Sequence, residues 1–288
     1  MKKICLIVTS SSDFLVINRL FHSLNVQNVT FDINIFFVNQ HKLSYPGFLF
    51  EENITLNVIE VNKVISLSKA RNLALLNINL SDFDVIAFPD DDCWYEDSLI
   101  KNIFNFFDSH LSYDVLCTNV LDPSNNKTYG GRPKGITIEV NERNIFSYPI
   151  SVGIFIKLQS RLSGCVIFDE TLGAGTDVGS GEETDLVYRL LKNGAKCLYL
   201  GDLFVYHPVI DGNYCVSDIK KYYKYGVGFG YLVRRMVNNK DYSVMLYYFY
   251  IIIRILTGLI ISVNREINRK VYYSRLKGVI SGFFMVLK

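Results

Sequence analysis

The sequence predicts an α/β fold built on a largely parallel sheet. Through the first half of the chain, short apolar runs rich in β-branched and aromatic residues alternate with runs of helical spacing. Of the 288 residues, 49% are hydrophobic and 20% charged, enough for a sizeable core and too apolar for global disorder. The apolar run Val85-Ile86-Ala87-Phe88-Pro89 ends in three carboxylates, Asp90, Asp91 and Asp92. The carboxyl edge of an open α/β sheet is where ligands bind.

The elements follow in order. Residues 4–8 read as a strand that stops at Thr9-Ser10-Ser11-Ser12, too short for a signal-peptide core. Residues 14–27 take helical spacing from Leu15, Leu20 and Leu24. Residues 33–38 and 54–61 are the second and third strands. Residues 66–77 form a helix with Leu67, Ala70, Leu73, Ala74 and Leu76 on its apolar side. Residues 85–88 are the strand under the aspartates, and 96–107 a helix whose acidic first turn suits the helix dipole. Residues 115–118 are another strand. Residues 123–135, rich in Asn, Gly, Pro and Lys, read as a mobile loop placed to act as a lid. A glycine-rich loop at 172–181 leads into Glu182-Glu183-Thr184-Asp185 and a helical run at 186–193, closed by Gly194. Residues 197–200 and 203–206 are strand-like and end at His207-Pro208.

Past Cys215 the character changes. Residues 216–288 hold 13 Lys/Arg and three Asp/Glu, a net +10, while the rest of the chain carries −8. Such a split suggests two parts with different partners. Residues 242–263 contain one charge, Arg254, near the middle. The length permits a membrane span. A central Arg, at about 2.5–3.5 kcal/mol on insertion scales, favours helices lying in an anionic lipid interface. Residues 270–287 are amphipathic in the same sense. The competing reading is an ordinary helical subdomain packed on the core or on another subunit. Six scattered cysteines without a C-x-x-C pair argue against a zinc site or a disulfide framework, and suit reduced thiols in the cytosol.

The chemistry-bearing residues form three sets. Carboxylates crowded like Asp90–Asp92 repel one another, and a divalent cation is the usual reason for them to share a site; oxygen ligands suit Mg²⁺ or Mn²⁺. Asp82-Phe83-Asp84 precedes the strand and reads as a solvated turn. Glu182 and Glu183 open a helix, where the dipole favours ionised carboxylates. Such a group can deprotonate a hydroxyl, although helix-start acidity without chemistry is equally common. His207 is either a structural histidine or a metal ligand beside carboxylates.

Taken together and in order, these pieces resemble a family-2 glycosyltransferase of the GT-A fold. The resemblance rests on the strand ending Thr9-Ser10, on Leu67-Ser68-Lys69-Ala70-Arg71-Asn72, on Phe88–Tyr95, on the segments 168–175 and 181–190, and on Tyr206-His207-Pro208. It implies a GT-A catalytic domain over residues 1–215, with nucleotide-sugar binding in 1–120 and the acceptor and base region in 121–215. A basic, aromatic helical region, 216–288, would follow. It implies a nucleotide-sugar donor, with Asp90 near the ribose, Asp91 in support and Asp92 on an Mn²⁺ or Mg²⁺ ion. Arg71 would contact the nucleotide and Thr9 would line the base pocket. By position Glu183 is the catalytic base, and His207 a third metal contact. One base and no covalent nucleophile imply inversion at the anomeric carbon. The implied acceptor is a glycan or lipid-linked saccharide of bacterial surface-polysaccharide synthesis. The enzyme would sit peripherally on the cytoplasmic face of the inner membrane, with a single C-terminal span left open. No nucleic-acid partner is implied, and a homo-oligomer is open.

Two positions depart from the family pattern. The second strand ends in Asn39 rather than Asp, which loosens the expectation of a uracil base and hence of UDP. The acidic pair is Glu-Glu rather than Glu-Asp, so either Glu182 or Glu183 can be the base. These departures also leave room for a membrane-docked nucleotide-sugar binding protein without turnover. A sugar-nucleotide pyrophosphorylase would need a glycine-rich phosphate loop after the first strand, and Ser10-Ser11-Ser12-Asp13 has no glycine.

Overall fold

A computed structural model describes residues 1–27, 31–42, 44–158, 160–209 and 214–286. Residue 287, the end of the last amphipathic run, lies outside them. Ten strands of the described residues form one sheet, with main order β3-β2-β1-β4-β9-β6-β10-β5. The strands are β1 (Lys3–Ser10), β2 (Asp32–Asn39), β3 (Ile54–Glu60), β4 (Val85–Ala87), β5 (Trp94–Tyr95), β6 (Val115–Asp122), β7 (Lys127–Thr128), β8 (Thr137–Val140), β9 (Ile154–Lys157) and β10 (Cys197–Tyr206). Strands β3, β2, β1 and β4 pair in parallel. β9 then runs antiparallel between β4 and β6, and β6 and β10 are again parallel. Six strands therefore point their carboxyl ends the same way. The fold class is the α/β, mostly parallel mixed sheet that the alternation predicts.

Both faces of the sheet are covered, which is why β1 is apolar without alternation. Ile4, Leu6 and Val8 face α1 (Phe14–Asn25) and α3 (Leu99–Ser109), meeting Leu20, Phe21, Ile103 and Phe104. Cys5 and Ile7 face the other layer. That layer holds α2 (Leu67–Leu75) and α5 (Glu182–Lys192), with the short α4 (Ser160–Ser163) between them in sequence. The C-terminal α6 (Val216–Asn238), α7 (Val244–Ile261) and α8 (Glu266–Phe283) add to it. Val233, Met236, Tyr248 and Ile255 of α6 and α7 share a buried cluster with Ala70 of α2 and Leu186 of α5.

Two readings change. Helix α3 begins at Leu99, so Glu96 and Asp97 lie before it and its first turn carries no acid. The two strand-like runs near residue 200 form one strand, β10, whose register against β6 shifts between Leu200 and Phe204. At that shift a Cβ on Gly201 would fall 2.9 Å from the Pro133 carbonyl oxygen, so the 133–136 backbone needs a glycine opposite it.

Candidate active site

The parallel strands deliver the site to one edge. Ser10, Asn39 and Glu60 end β1, β2 and β3 and lie in register. Thr9 bridges to Asp90 just past β4. The Ser10 hydroxyl donates to Asp91 Oδ2, and the Ser12 amide donates back to Ser10 Oγ at 3.0 Å. Asp91 is thus tied to β1, while Asp90 and Asp92 turn towards other partners.

Asp92 Oδ1 lies 3.0 Å from His207 Nε2, at the end of β10. One ligand atom each from Asp90, Asp92 and His207 falls within 4.8 Å of the others. His207 Nδ1 lies 2.6 Å from the Pro208 carbonyl oxygen, and the neutral ring then keeps its proton on Nδ1. Without a metal the ring is held as the imidazolium and Nε2–H donates to Asp92; once that proton is lost, the Nε2 lone pair faces the aspartates, as metal-bound imidazoles are presented. Two carboxylates and an imidazole fit Mn²⁺ or Mg²⁺, so the residues fit the expected ion. Without a cation, burial pushes Asp90 up to about 6 against the pull of Arg71. Burial works to raise Asp92, but the His207 hydrogen bond holds it below its usual range. Burial opposes the charge on His207, and Asp92 outweighs it and raises the imidazole. A bound divalent ion would favour both carboxylates in their ionised form.

Arg71 joins the two acidic groups. Helix α2 buries it to 1% exposure, with its guanidinium against the rings of Phe88 and Phe168. Its Nη2 donates to Asp90 Oδ1 at 3.1 Å and to Ser151 Oγ at 2.7 Å. Its Nη1 stands 3.6 Å from Glu182 Oε1 and makes no hydrogen bond. The same helix holds the segment leading to α5. Ser68 donates to the Leu172 carbonyl at 2.7 Å, and Asn72 both accepts from and donates to the backbone of Phe168. A Cβ on Gly173, whose φ is +96°, would fall 2.9 Å from Ser68 Oγ and 3.1 Å from Glu182 Oε2.

Glu182 and Glu183 form the first turn of α5, after Gly181 in the left-handed conformation. Glu182 is buried against Arg71, and Glu183 is half-exposed. Burial, reinforced by the charge of Glu183 and opposed by Arg71, pushes Glu182 up to about 7. Burial also raises Glu183. Glu183 acts electrostatically on Tyr129 and Arg132 of the 123–135 loop and on Tyr225 of α6. The hydroxyls of Tyr129 and Tyr225 are hydrogen-bonded, and the Tyr129 ring meets His207 edge-on, centroids 6.1 Å apart. Loop 123–135 and α6 therefore meet beside His207.

Asn39 is fully buried at the strand edge. Its Nδ2 donates to Glu60 Oε2 at 2.6 Å, and its Oδ1 accepts from the His41 amide at 3.0 Å. Glu60 is exposed, so the carboxylate at this edge belongs to β3 rather than β2. Glu60, Tyr129, Arg132, Ser151 and Tyr225 lie at the edge although no motif marks them. Glu60 alone had a signal, an acid at the end of a strand run.

No family model matches the sequence, and no curated protein matches it. Solved structures do. The mannosyltransferase PcManGT from Pyrobaculum calidifontis, in complex with GDP-Man and Mn²⁺, superposes with a TM-score of 0.60 at 11% identity, over 98% of this chain and 87% of that one. Residues 1–349 of S. aureus TarS, in complex with UDP-GlcNAc, match with a TM-score of 0.55 at 16% identity, over 98% and 91%. A longer S. aureus TarS structure matches at 0.52 and 18% identity; the chain spans 40% of its length. At these identities the likeness is one of fold, and the fold is that of GT-A-like glycosyltransferases.

Proposed function

We propose that this chain is an inverting, metal-dependent glycosyltransferase of the family-2 type. It would move a sugar, a hexose in the leading reading, from a nucleotide-diphosphate donor to a hydroxyl of a lipid-linked or polysaccharide acceptor at the inner-membrane surface. One observation carries the reading. The buried guanidinium of Arg71 lies within 3.1 Å of Asp90 and 3.6 Å of Glu182, joining the aspartates to the carboxylate pair. A neighbour with the same fold was solved with a nucleotide sugar and Mn²⁺, which supports the ligand class.

Asp90, Asp92 and His207 would hold the ion, and the ion would supply positive charge to the departing diphosphate. Arg71, buried with Nη1 facing Glu182 Oε1 at 3.6 Å, would act on the nucleotide diphosphate through its charge. It would stabilise charge where charge develops. Asp91, fixed by Ser10, braces the turn. Thr9, Asn39 and Glu60 form the base end; Asn39 orients Glu60, and that carboxylate accepts from a ring N–H such as that of uracil. Glu183 is the base: it is the accessible member of the pair, and it takes the acceptor hydroxyl proton as the oxygen attacks from the side opposite the diphosphate. Glu182 positions Arg71. A single in-line displacement inverts the anomeric carbon.

Calorimetry with UDP tests the donor site. UDP is expected to bind only with Mn²⁺ or Mg²⁺ present, and Asp92→Asn is expected to remove that dependence together with the tight binding. Equal affinity without metal overturns the assignment of Asp92.

A further inference from the structure

Helix α7 buries one narrow face and leaves the opposite one bare. Val244, Tyr248, Ile251 and Ile255 are buried, and Tyr247 stacks on Phe146 with centroids 5.8 Å apart, which fixes the helix along the body. At 100° per residue, Ile253 marks the middle of the outward face. Leu246, Ile253 and Ile260 along that face are 79%, 61% and 77% exposed. The window has a mean hydropathy of 2.1, yet only 22% of it is buried. Arg254 sits about 100° from Ile253, at the rim of this face, with its guanidinium over the Tyr250 ring at 5.6 Å. An apolar face with its cation at the edge is the arrangement of a helix lying in an interface; the stem stays among apolar groups and the charge reaches the headgroups. A helix crossing the bilayer would have to part from Phe146 or draw the soluble body in with it.

The next helix continues the surface. A shallow groove lies between Leu259 of α7 and Arg269, Lys270 and Tyr273 of α8. Leu259 and the Tyr273 ring make it apolar, and Arg269 together with Lys270, which is paired with Glu266, gives it a positive edge suited to a phosphate. Beyond it, Lys277 and Ile280 are exposed on α8, and Phe284 is exposed just past its end. The charge is complementary to one occupant in particular, since residues 216–288 carry a net +10.

We infer that the outward faces of α7 and α8 form an in-plane docking surface for an anionic phospholipid bilayer, with the α7–α8 groove receiving a lipid headgroup phosphate. The inference deepens the membrane siting proposed above and rests on it.

Vesicle flotation of the full-length protein tests it. The protein is expected to float with phosphatidylcholine vesicles containing phosphatidylglycerol and to stay behind with phosphatidylcholine alone. Arg269→Gln with Lys270→Gln should lower the partition coefficient about tenfold or more, at roughly 1 kcal/mol per basic residue. Ile253→Asp should abolish flotation, and the milder Ile260→Ser should weaken it. UDP binding with Mn²⁺ is measured on every variant. Its retention shows that the variant is folded; its absence from the parent protein would overturn the glycosyltransferase reading while leaving the flotation result to stand by itself. Undiminished flotation of Ile253→Asp overturns the surface. A lipid-free dimer that Ile253→Asp dissociates assigns the face to a second copy and overturns the lipid. Retention in cell membranes after alkaline carbonate extraction overturns the in-plane placement in favour of a span.

Discussion

Glu182 and Glu183 are neighbours in sequence and unlike in surroundings. Glu182 is enclosed with Arg71, whereas Glu183 opens to the space beside Tyr129, Arg132 and Tyr225. A base must be ionised to accept a proton, and burial raises Glu183 above the ordinary glutamate value. Turnover should therefore fall as the pH is lowered through a value above 4.5, the ordinary one, because the protonated carboxyl cannot take the acceptor proton. The two carboxyls titrate as a pair, so the acid limb belongs to both. Glu183→Gln should lower turnover by about 10²–10⁴-fold and remove that limb while leaving UDP binding intact. Sugar transfer followed across pH checks both; a Glu183→Gln enzyme with the parent's rate and profile moves the base elsewhere. At this scale the sequence was informative where a motif concentrates charge. Asp90–Asp92, Arg71, the glutamate pair and His207 converge as their order suggests. Ser151 and Tyr225 were not legible, because a lone hydroxyl on a turn or helix carries no pattern until folding places it. Asn39 was legible as a position and not as a partner, since its amide goes to the side chain of the next strand.

Helices α6 and α8 cross at their glycines. A Cβ on Gly226 would lie 2.4 Å from the Arg275 carbonyl oxygen, and one on Gly230 2.1 Å from that of Val279. On the other side, Gly278 and Gly282 face the carbonyls of Tyr223 and Val227 at 2.2 and 2.0 Å. Backbone thus rests on backbone, where no side chain can yield. Glycine is about 1 kcal/mol worse than alanine inside a helix, so by propensity alone Gly230→Ala would stabilise α6. The packing reverses the sign. Gly230→Ala should destabilise by about 1–3 kcal/mol, as overpacking does. Gly164→Ala, with open space around the new methyl, provides the comparison. Urea denaturation of the two variants decides, and a Gly230→Ala protein as stable as the parent would remove the close crossing. The long parallel strands were legible from their unbroken apolar runs. β5, β7, β8 and β9, two to four residues each, are too short to show a period, and β9 owes its antiparallel place to pairing with β4 and β6. The acid before α3 reads as a helix start, but the turn closes at Glu96, and Leu99 opens the helix with its amide on the Glu96 carbonyl at 3.0 Å.

Across the whole molecule, the change in charge at residue 216 does not coincide with a gap in the contacts. Helix α6 reaches the loop before the glutamates at several points. Lys224 donates to the carbonyls of Thr176 and Asp177, both at 2.9 Å. Arg235 lies 2.8 Å from Asp169 and 3.1 Å from Asp185, which is fully buried. Gly228 rests against Ser180 and Gly181 against Leu232. Helix α8 in turn covers the glycine face of α6, and α7 closes over Phe146 and Phe229. Removing residues 242–288 would uncover that face and loosen the support of α5, whose first turn carries both glutamates. The truncated chain should therefore leave membranes and also melt at a lower temperature, with about 2–4 °C lost for each kcal/mol in a chain of this size. Ile253→Asp, which alters only an exposed side chain, should leave membranes without that loss. Thermal melts of the two proteins, with UDP and Mn²⁺ present, separate the two roles. A truncated chain that melts with the parent would show that α7 and α8 serve the membrane alone; a lower melt for truncation only would show that the helices facing the lipid also hold the base in place.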